Sequence, residues 1–344
     1  MARKSATVAA ASPQAPTVAA PSAEPRDFFF RSTDGLRLHV REYGDAVSPF
    51  LPVVCLPGLT RTARDFDVLA RFLSAHPDRP RRVVAFDLRG RGMSEWDASP
   101  DNYTPLTEMT DVLDGMAALG IARAIIVGTS RGGIIAMLMG VARPNALAGV
   151  VLNDVGAVLE PLGLARIKSY VGVTPLPDDW SDAVQILKRL HGAQFPALDD
   201  DAWLAYARMT WAEKDGKPVS DYDPALARTL DAIDFDRAAP SLWEPFRSLV
   251  AIPVLAIRGE RSDLLSTGTL QAMAEAHPRM ESITIEGHGH APLLRQPPLL
   301  ARIADFVAGI DGAGPSADAI VPREPARYSL DKSPDGDGSP SDGD

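Results

Sequence analysis

The chain has 344 residues, of which 45% are hydrophobic and 23% charged, and its formal net charge is -10. This composition is ordinary for a globular protein, and the length suits one large α/β domain with an insertion or two small domains. The acidic balance argues against a general role in binding nucleic acid or anionic membranes. The single cysteine, Cys55, excludes an intramolecular disulfide and a cysteine-based metal site.

Both ends of the chain have the composition of disordered segments. Residues 1–26 are rich in Ala, Pro and Ser, and residues 313–344 are rich in Gly, Ser, Pro and Asp. The first residues carry a basic pair but lack the Leu/Ile/Val-rich region of a secretory signal, so we expect a cytoplasmic protein. No apolar run is long enough to span a bilayer, and we expect no membrane span.

Strands and helices alternate in residues 27–155. The segment opens with two strands joined by Asp34-Gly35, a hairpin turn signal. Because this alternation is typical of parallel sheets with right-handed crossovers, we expect the first part of an α/β core here. The apolar patterns that follow the hairpin predict strands at 51–56, 82–86, 124–127 and 149–152, and helices at 66–73, 103–119 and 134–141.

The alternation stops in residues 156–245. Helical patches, prolines and four tryptophans occupy this stretch, which we interpret as a helical cap inserted into the core. The aromatic residues suggest an apolar acyl pocket, with Trp211 as a candidate substrate-binding residue. Strand patterns return at 253–257 and 282–285 and a final helix is predicted at 298–310, so residues 246–312 form the second part of the core.

The strongest chemical signal is the pentapeptide Gly128-Thr129-Ser130-Arg131-Gly132. A G-x-S-x-G sequence between a strand and a helix is typical of a nucleophile elbow, in which the serine hydroxyl is exposed on a tight turn. The backbone N–H of Arg131 would then face the developing oxyanion. A glycine-rich turn could instead hold a phosphate, but this one lacks the lysine of a Walker motif and the spacing of a dinucleotide fingerprint.

A nucleophilic serine needs a base and an acid that orients the base. Two histidines, His288 and His290, lie in a glycine-rich loop after the last strand, and the other four, including His191, are interpreted as surface or core residues. The acid can come from any of three carboxylates that follow late strands. These are Asp154, Glu260 and Asp263.

The second oxyanion donor is expected in the loop after the third strand. There the chain reads Leu56-Pro57-Gly58-Leu59, and Gly58 permits a turn that aims the Leu59 N–H inward. The alternative interpretation is a plain turn that ends the strand.

Together these pieces resemble the α/β-hydrolase superfamily, and are most similar to capped bacterial hydrolases that include C–C bond hydrolases, enol-lactonases and carboxylesterases. The resemblance implies a mostly parallel eight-stranded sheet with helices on both faces and an inserted helical cap. It also implies that neither a metal nor an organic cofactor is needed. The matching pieces are Leu56-Pro57-Gly58, Asp87-Leu88-Arg89-Gly90-Arg91-Gly92-Met93-Ser94, the Ser130 elbow, residues 259–263 and Gly289-His290-Ala291-Pro292.

The resemblance also selects among the candidate site residues. The family's histidine usually follows Gly and precedes a small residue, which favours His290, and its acid usually lies a few residues past the glycine after the strand, which favours Asp263. Many relatives have His-Gly where this chain has Pro57-Gly58, and many carry Met, Leu or Gln after the serine where this chain has Arg131. Arg131, Arg61 and Arg261 would therefore suit a substrate with a carboxylate, unless they pair with Asp87, Asp154 or Glu260.

These expectations lead to hydrolysis of a small carboxylic ester or lactone through an acyl-enzyme, with a small molecule as the only expected partner. A C–C bond hydrolase of a ring-cleavage product is the enzymatic alternative, and a non-catalytic ligand-sensing protein is the alternative from another class. Dehalogenases and epoxide hydrolases of this family place Asp where this chain has Ser130, which argues against them.

Overall fold

The computed structural model of the chain describes residues 24–231, 233 and 241–312. The segments expected to be disordered, apart from residues 24–26, lie outside these ranges. The described residues contain ten strands. They are β1 (Arg26–Arg31), β2 (Arg37–Tyr43), β3 (Val53–Leu56), β4 (Val83–Asp87), β5 (Ala124–Thr129), β6 (Leu147–Asn153), β7 (Ala212–Lys214), β8 (Lys217–Val219), β9 (Val254–Gly259) and β10 (Met280–Ile285).

Eight of these strands form one sheet, in the order β1-β2-β4-β3-β5-β6-β9-β10. Strand β2 runs antiparallel to both of its neighbours, and the other pairs are parallel. The carboxyl ends of β3, β5, β6 and β9 therefore meet at one edge of the sheet, which is where ligands bind in open α/β folds.

Helices cover both faces of the sheet. Helices α2 (Pro105–Ala118), α3 (Arg131–Ala142), α7 (Trp243–Arg247) and α8 (Thr267–Ala276) lie on one face, and α1 (Asp67–Ser74) and α9 (Pro297–Gly312) lie on the other. Strand β5 is buried on both sides because successive side chains point to opposite faces: Ile126 packs into the first core and Val127 into the second. The sheet with two helical layers is the α/β-hydrolase fold that the resemblance implied.

We refer to residues 154–253, between β6 and β9, as the insertion; the expected helical cap, residues 156–245, lies within this segment. Its helices are α4 (Pro161–Tyr170), α5 (Trp180–His191) and α6 (Asp200–Thr210). The Asp179 carboxylate caps the start of α5 and the Asp199 carboxylate caps the start of α6. The two helices pack through a separate apolar cluster that includes Phe195 and Trp203.

The sequence patterns missed two elements. Helix α8 has only two large buried apolar side chains, Leu270 and Met273, so its periodic signal is weak. The insertion also contains the β7–β8 hairpin around Asp215-Gly216, whose φ angles are 52° and 76°. Asp-Gly is a hairpin turn signal, but the flanking strands are short, partly exposed and lack alternating apolar residues. No helix in the described part of the chain has the length and apolar character needed to cross a membrane.

Candidate active site

Ser130 lies in a sharp turn between the end of β5 and the start of α3. Its φ and ψ angles are 50° and -110°, a backbone conformation that is strained for a residue with a side chain. The turn is tight: a Cβ atom at Gly128 would lie 2.5 Å from the backbone of Gly132. The glycines of the pentapeptide are therefore required by close backbone approach, and the result is the strained turn expected of a nucleophile elbow.

His290 connects Ser130 to a buried carboxylate. Its Nε2 lies 3.0 Å from Ser130 Oγ, and its Nδ1 lies 2.8 Å from Asp154 Oδ2. The imidazole is 8% exposed and Asp154 is fully buried. When Asp154 is ionised, its carboxylate accepts a hydrogen bond from Nδ1–H of His290. The Nε2 atom then has no proton and can accept a hydrogen bond from the Ser130 hydroxyl. The chain of hydrogen bonds thus has the polarity that nucleophile activation requires.

Asp154 is held by donors from the neighbouring strand. Its Oδ1 accepts the Gly259 backbone N–H at 2.7 Å, and its Oδ2 accepts the Ser262 hydroxyl at 2.6 Å as well as the His290 ring. The residue has a φ of 57°, which is uncommon outside glycine, and it directly follows β6. Three donors fix the carboxylate before any substrate binds, so it can orient the imidazole.

The expected pairing of Asp263 with His290 is not formed. Asp263 instead accepts two hydrogen bonds from Arg166 of α4, at 2.6 and 2.9 Å. Burial disfavours the Asp263 carboxylate, but the Arg166 hydrogen bonds and charge outweigh it and hold the pKa of Asp263 below its usual range. This corrects the sequence-based prediction of the His290 partner: Asp154 lies beside His290, and Asp263 pairs with Arg166 of the insertion.

The other two candidates also have structural partners. Glu260 accepts the Gly287 backbone N–H at 2.9 Å. His288 lies with its Nε2 2.9 Å from the Gln296 side chain and packs its ring against Phe195, and burial lowers its pKa. Neither residue contacts the Ser130–His290 pair through a hydrogen bond within the described residues.

The backbone amides of Leu59 and Arg131 were expected to act as oxyanion donors. Leu59 and Ser130 line the same cavity, and a Cβ atom at Gly58 would lie 3.9 Å from Ser130 Cβ. Arg131 occupies the first position of α3, where an N–H has no partner within the helix. Across the parts of the chain that the structure describes, neither the Leu59 nor the Arg131 N–H donates to another backbone group outside regular helices and strands.

The Arg131 side chain points away from this cavity. Its Nε lies 2.6 Å from Glu108 Oε2, and its Nη2 donates to the Tyr103 carbonyl at 2.8 Å. Glu108 is fully buried and also pairs with Arg91 at 2.7 Å. The guanidinium group of Arg131 is therefore paired within the core. Its carboxylate partner is Glu108 rather than Asp87, Asp154 or Glu260.

Arg61, in contrast, lines the cavity. Its Nε and Nη2 donate to Asp65 at 2.8 and 2.7 Å, and its Nη1 donates to the Thr210 hydroxyl at 2.6 Å. Asp65 compensates its charge. Arg261 donates to the Ala193 carbonyl at 3.3 Å. The structure thus brings one of the three arginines to the cavity and leaves none of its charge unpaired.

The cavity beside Ser130 has an apolar wall and a polar wall. Ile167, Val171, Met209, Leu293 and Leu294 provide apolar surface. The polar wall combines Arg61 with side chains of the insertion. These are Tyr170 at the end of α4, His191 at the end of α5 and Tyr206 within α6.

Two candidates from the insertion can be placed relative to this wall. His191, interpreted from the sequence as a surface or core residue, is buried and also borders the cavity. Trp211 is absent from its lining but lines an adjoining cavity that shares Arg61, His191 and Tyr206. No sequence signal separates His191 from a core histidine, since the residues that surround it come from distant segments. Within the described ranges, no group of three or more His, Cys, Asp or Glu side chains could hold a metal ion.

Comparison with known proteins shows the family to which the chain belongs. The model of the alpha/beta hydrolase family matches residues 53–303. The chain belongs to the alpha/beta hydrolase family. Its sheet order and strand-turn-helix at Ser130 agree with that membership.

Three of the proteins similar to this chain are bacterial hydrolases. A 3-hydroxybutyrate-oligomer hydrolase of Cupriavidus necator is 32% identical over 300 residues, covering 84% of this chain and 99% of that protein. A 2-(acetamidomethylene)succinate hydrolase of Mesorhizobium japonicum is 26% identical over 74% of this chain and 85% of that protein. The crystal structure of an alpha/beta hydrolase from Novosphingobium aromaticivorans is 38% identical, with a TM-score of 0.75, and the match covers 83% of this chain and 99% of that chain. The chain is accordingly a hydrolase of the α/β type.

Proposed function

We propose that this α/β hydrolase cleaves carboxylic esters through an acyl-enzyme intermediate on Ser130. The observation that carries the proposal is the continuous hydrogen-bond chain Ser130–His290–Asp154, with distances of 3.0 and 2.8 Å. Such a chain serves nucleophilic acyl transfer because each member has a defined role as nucleophile, base or orienting acid.

The chemical steps follow from this polarity. Ser130 Oγ attacks the ester carbonyl and passes its proton to His290 Nε2. The oxyanion that forms lies against the Leu59 and Arg131 N–H groups. When the tetrahedral intermediate collapses, the C–O bond to the alcohol breaks and His290 returns its proton to the leaving oxygen.

The acyl-enzyme is released by the same groups. His290 takes a proton from water, the resulting hydroxide attacks the acyl carbon, and the bond to Ser130 Oγ breaks. Ser130 recovers its proton from His290, and the product is a carboxylic acid. A lactone would react identically, with the leaving hydroxyl staying attached to the acyl chain.

The proposed substrates are short esters of hydroxy acids. A relative that covers 84% of this chain is named for hydrolysis of 3-hydroxybutyrate oligomers, which are esters between hydroxy acids. The cavity suits such a substrate because it offers apolar side chains for the carbon skeleton and polar side chains for oxygen atoms. Nothing in the cavity favours cleavage of a C–C bond over cleavage of an ester.

A substitution of the nucleophile tests the proposal. We expect Ser130→Ala to lower kcat for p-nitrophenyl butyrate and for the 3-hydroxybutyrate dimer on the order of 10⁴-fold or more, with unchanged circular dichroism. The matched control is Ser169→Ala, which changes an exposed serine on α4 and should keep wild-type kcat.

A fluorophosphonate probe supplies an independent test. We expect mass spectrometry to place the covalent adduct on Ser130. Retained turnover in Ser130→Ala, or an adduct on another residue, would contradict the serine mechanism. Absence of any labelling together with absence of turnover would instead favour a ligand-sensing role, and turnover confined to a vinylogous diketone would favour the C–C hydrolase.

A further inference from the structure

His191 is buried in the polar wall of the Ser130 cavity. Its side chain is 6% exposed, and its ring lies between those of Tyr170 and Tyr206, with centroid distances of 5.4 and 5.9 Å. Ser130 and His290 border the same cavity. The ring therefore borders the space that a bound substrate would enter.

The imidazole has unused hydrogen-bonding capacity. Nδ1 is buried without a hydrogen-bond partner in the described portion of the chain. A buried polar group without a partner costs about 1–3 kcal/mol, so native proteins rarely keep one without a reason. A ligand that supplies the missing partner provides such a reason.

The ring is neutral when it meets a ligand. Burial is the main cause, and the nearby positive charges of Arg166 and Arg61 add to it, so the pKa of His191 is lowered to about 3. A neutral imidazole carries one donor and one acceptor. It therefore matches an uncharged ligand group, either a hydroxyl, which can donate and accept a hydrogen bond, or an ester oxygen, which can only accept one.

The charges around the ring favour a neutral ligand group. Asp65 accepts two hydrogen bonds from Arg61, and Asp263 accepts two from Arg166. No guanidinium in this wall is left without a carboxylate partner. A substrate carboxylate would find both cations already paired, whereas a hydroxyl or ester oxygen would find a free donor or acceptor on His191.

We propose that His191 is a specificity-determining residue that binds a hydroxyl or ester oxygen of the substrate's acyl chain, beyond the carbonyl that Ser130 attacks. In the proposed mechanism the acyl group stays attached to Ser130 in the intermediate, whereas the alcohol must leave the cavity. A buried wall is therefore better suited to binding the acyl group than the alcohol. This inference rests on the ester hydrolysis proposed above. It predicts a preference for 3-hydroxyacyl over plain alkanoyl esters, because an apolar chain would leave the imidazole unpaired.

The test compares two esters that differ by one hydroxyl. p-Nitrophenyl 3-hydroxybutyrate and p-nitrophenyl butyrate share a leaving group, so the ratio of their kcat/KM values reports acyl recognition. We expect the wild-type ratio to favour the hydroxy ester about tenfold, the worth of one neutral hydrogen bond. In His191→Phe, which keeps a ring of similar shape, the ratio should fall to about one. In His191→Asn, whose amide restores a donor and an acceptor, part of the preference should return.

The control is a second buried histidine. His277 lies outside the cavity, bonds to the Leu249 carbonyl and packs against Phe246. His277→Phe removes an imidazole at a structural position, and the ester ratio should stay at its wild-type value. If His191→Phe lowers kcat/KM for the two esters by the same factor, the proposed role of His191 is wrong. If that variant does not fold, equal wild-type kcat/KM for the two esters overturns it instead.

The two proposals fail in different ways. If wild type hydrolyses butyrate ester with Ser130 labelled but shows no preference for the hydroxyl, only the His191 subsite is wrong. If neither ester is hydrolysed and Ser130 is not labelled, the ester hydrolase assignment is wrong and the subsite falls with it.

Discussion

At the scale of single residues, we expect substitutions of Asp154 and Asp263 to have very different effects on kcat. Asp154 bonds to His290 Nδ1 at 2.8 Å, while Asp263 is paired with Arg166. We expect Asp154→Asn to lower kcat by about 10³- to 10⁴-fold, because an amide cannot both fix the Nδ1–H tautomer and stabilise the imidazolium. We expect Asp263→Asn to stay within about tenfold of wild type.

Steady-state kinetics on one ester, with both proteins checked by thermal denaturation, measures this difference. The two variants are matched, since each replaces a carboxylate by an isosteric amide in neighbouring loops. A larger loss of kcat in Asp263→Asn than in Asp154→Asn would reverse the assignment of the acid.

The carboxylate beside His290 is the part of the site where the structure differs from the sequence-based prediction, which favoured Asp263. Ser130 and His290 belong to local motifs whose glycines shape the chain around them. Asp154 and Asp263 follow the adjacent parallel strands β6 and β9, and both loops reach the same edge of the sheet. What separates them is tertiary: the φ of 57° at Asp154 and the Gly259 and Ser262 donors that hold its carboxylate.

At the scale of elements, Glu108 joins three parts of the core. It lies in α2, pairs with Arg131 at the start of α3 and pairs with Arg91 in the loop after β4. Burial disfavours its charge, but the two arginines outweigh this and lower the pKa of Glu108. Because Arg131 also supplies a proposed oxyanion N–H, the pairing fixes the first turn of α3 beside Ser130.

We expect Glu108→Gln to lower the free energy of unfolding by about 3 kcal/mol, since it leaves two buried guanidinium groups with no carboxylate partner. Urea unfolding followed by tryptophan fluorescence measures the loss. The control is Glu244→Gln, which breaks an exposed pair with Arg247 and should change the unfolding midpoint little. Equal shifts in the two variants would show that the buried cluster contributes no more than a surface pair.

Elements of the sheet were predictable because their burial leaves a strong apolar signal. Strands β3, β4, β5 and β6 are buried almost throughout, and strand–helix alternation then restricts the topology. Helix α8 and the β7–β8 hairpin were not predicted, because each buries few apolar side chains. Apolar periodicity in a sequence reflects burial, so it does not predict an element that is stabilised mainly by its turn or its helix cap.

At the scale of the whole molecule, the insertion and the core share the wall of one cavity. The core contributes Ser130 and Arg61, and the insertion contributes Tyr170, His191 and Tyr206. The Arg166–Asp263 pair links α4 of the insertion to the loop after β9. The proposed His191 subsite would couple substrate recognition to folding stability, because His191 is buried where the two parts pack.

This coupling predicts how stability responds to acid. His191 has a pKa of about 3 in the folded chain and an ordinary value of 6.5 when unfolded. A depressed folded pKa means that the unfolded chain binds the proton more readily, so its contribution to stability is complete above pH 6.5 and is lost as the pH falls toward 3. The charged or titratable groups that act on the ring are Arg166, Arg61, His290 and Asp263, and they are present in both proteins compared below.

We expect the free energy of unfolding of wild type to fall relative to His191→Phe by about 2 kcal/mol between pH 7 and pH 5, from a limiting slope of about 1.4 kcal/mol per pH unit. Urea titrations at several pH values measure the difference, and the other titrating groups cancel in it. His191→Asn should show the same reduced slope, since it also removes the imidazole while keeping hydrogen-bonding capacity. Parallel pH profiles for wild type and both variants would mean that the folded chain protonates His191 as readily as the unfolded chain, and the lowered pKa of His191 in the cavity wall would be ruled out.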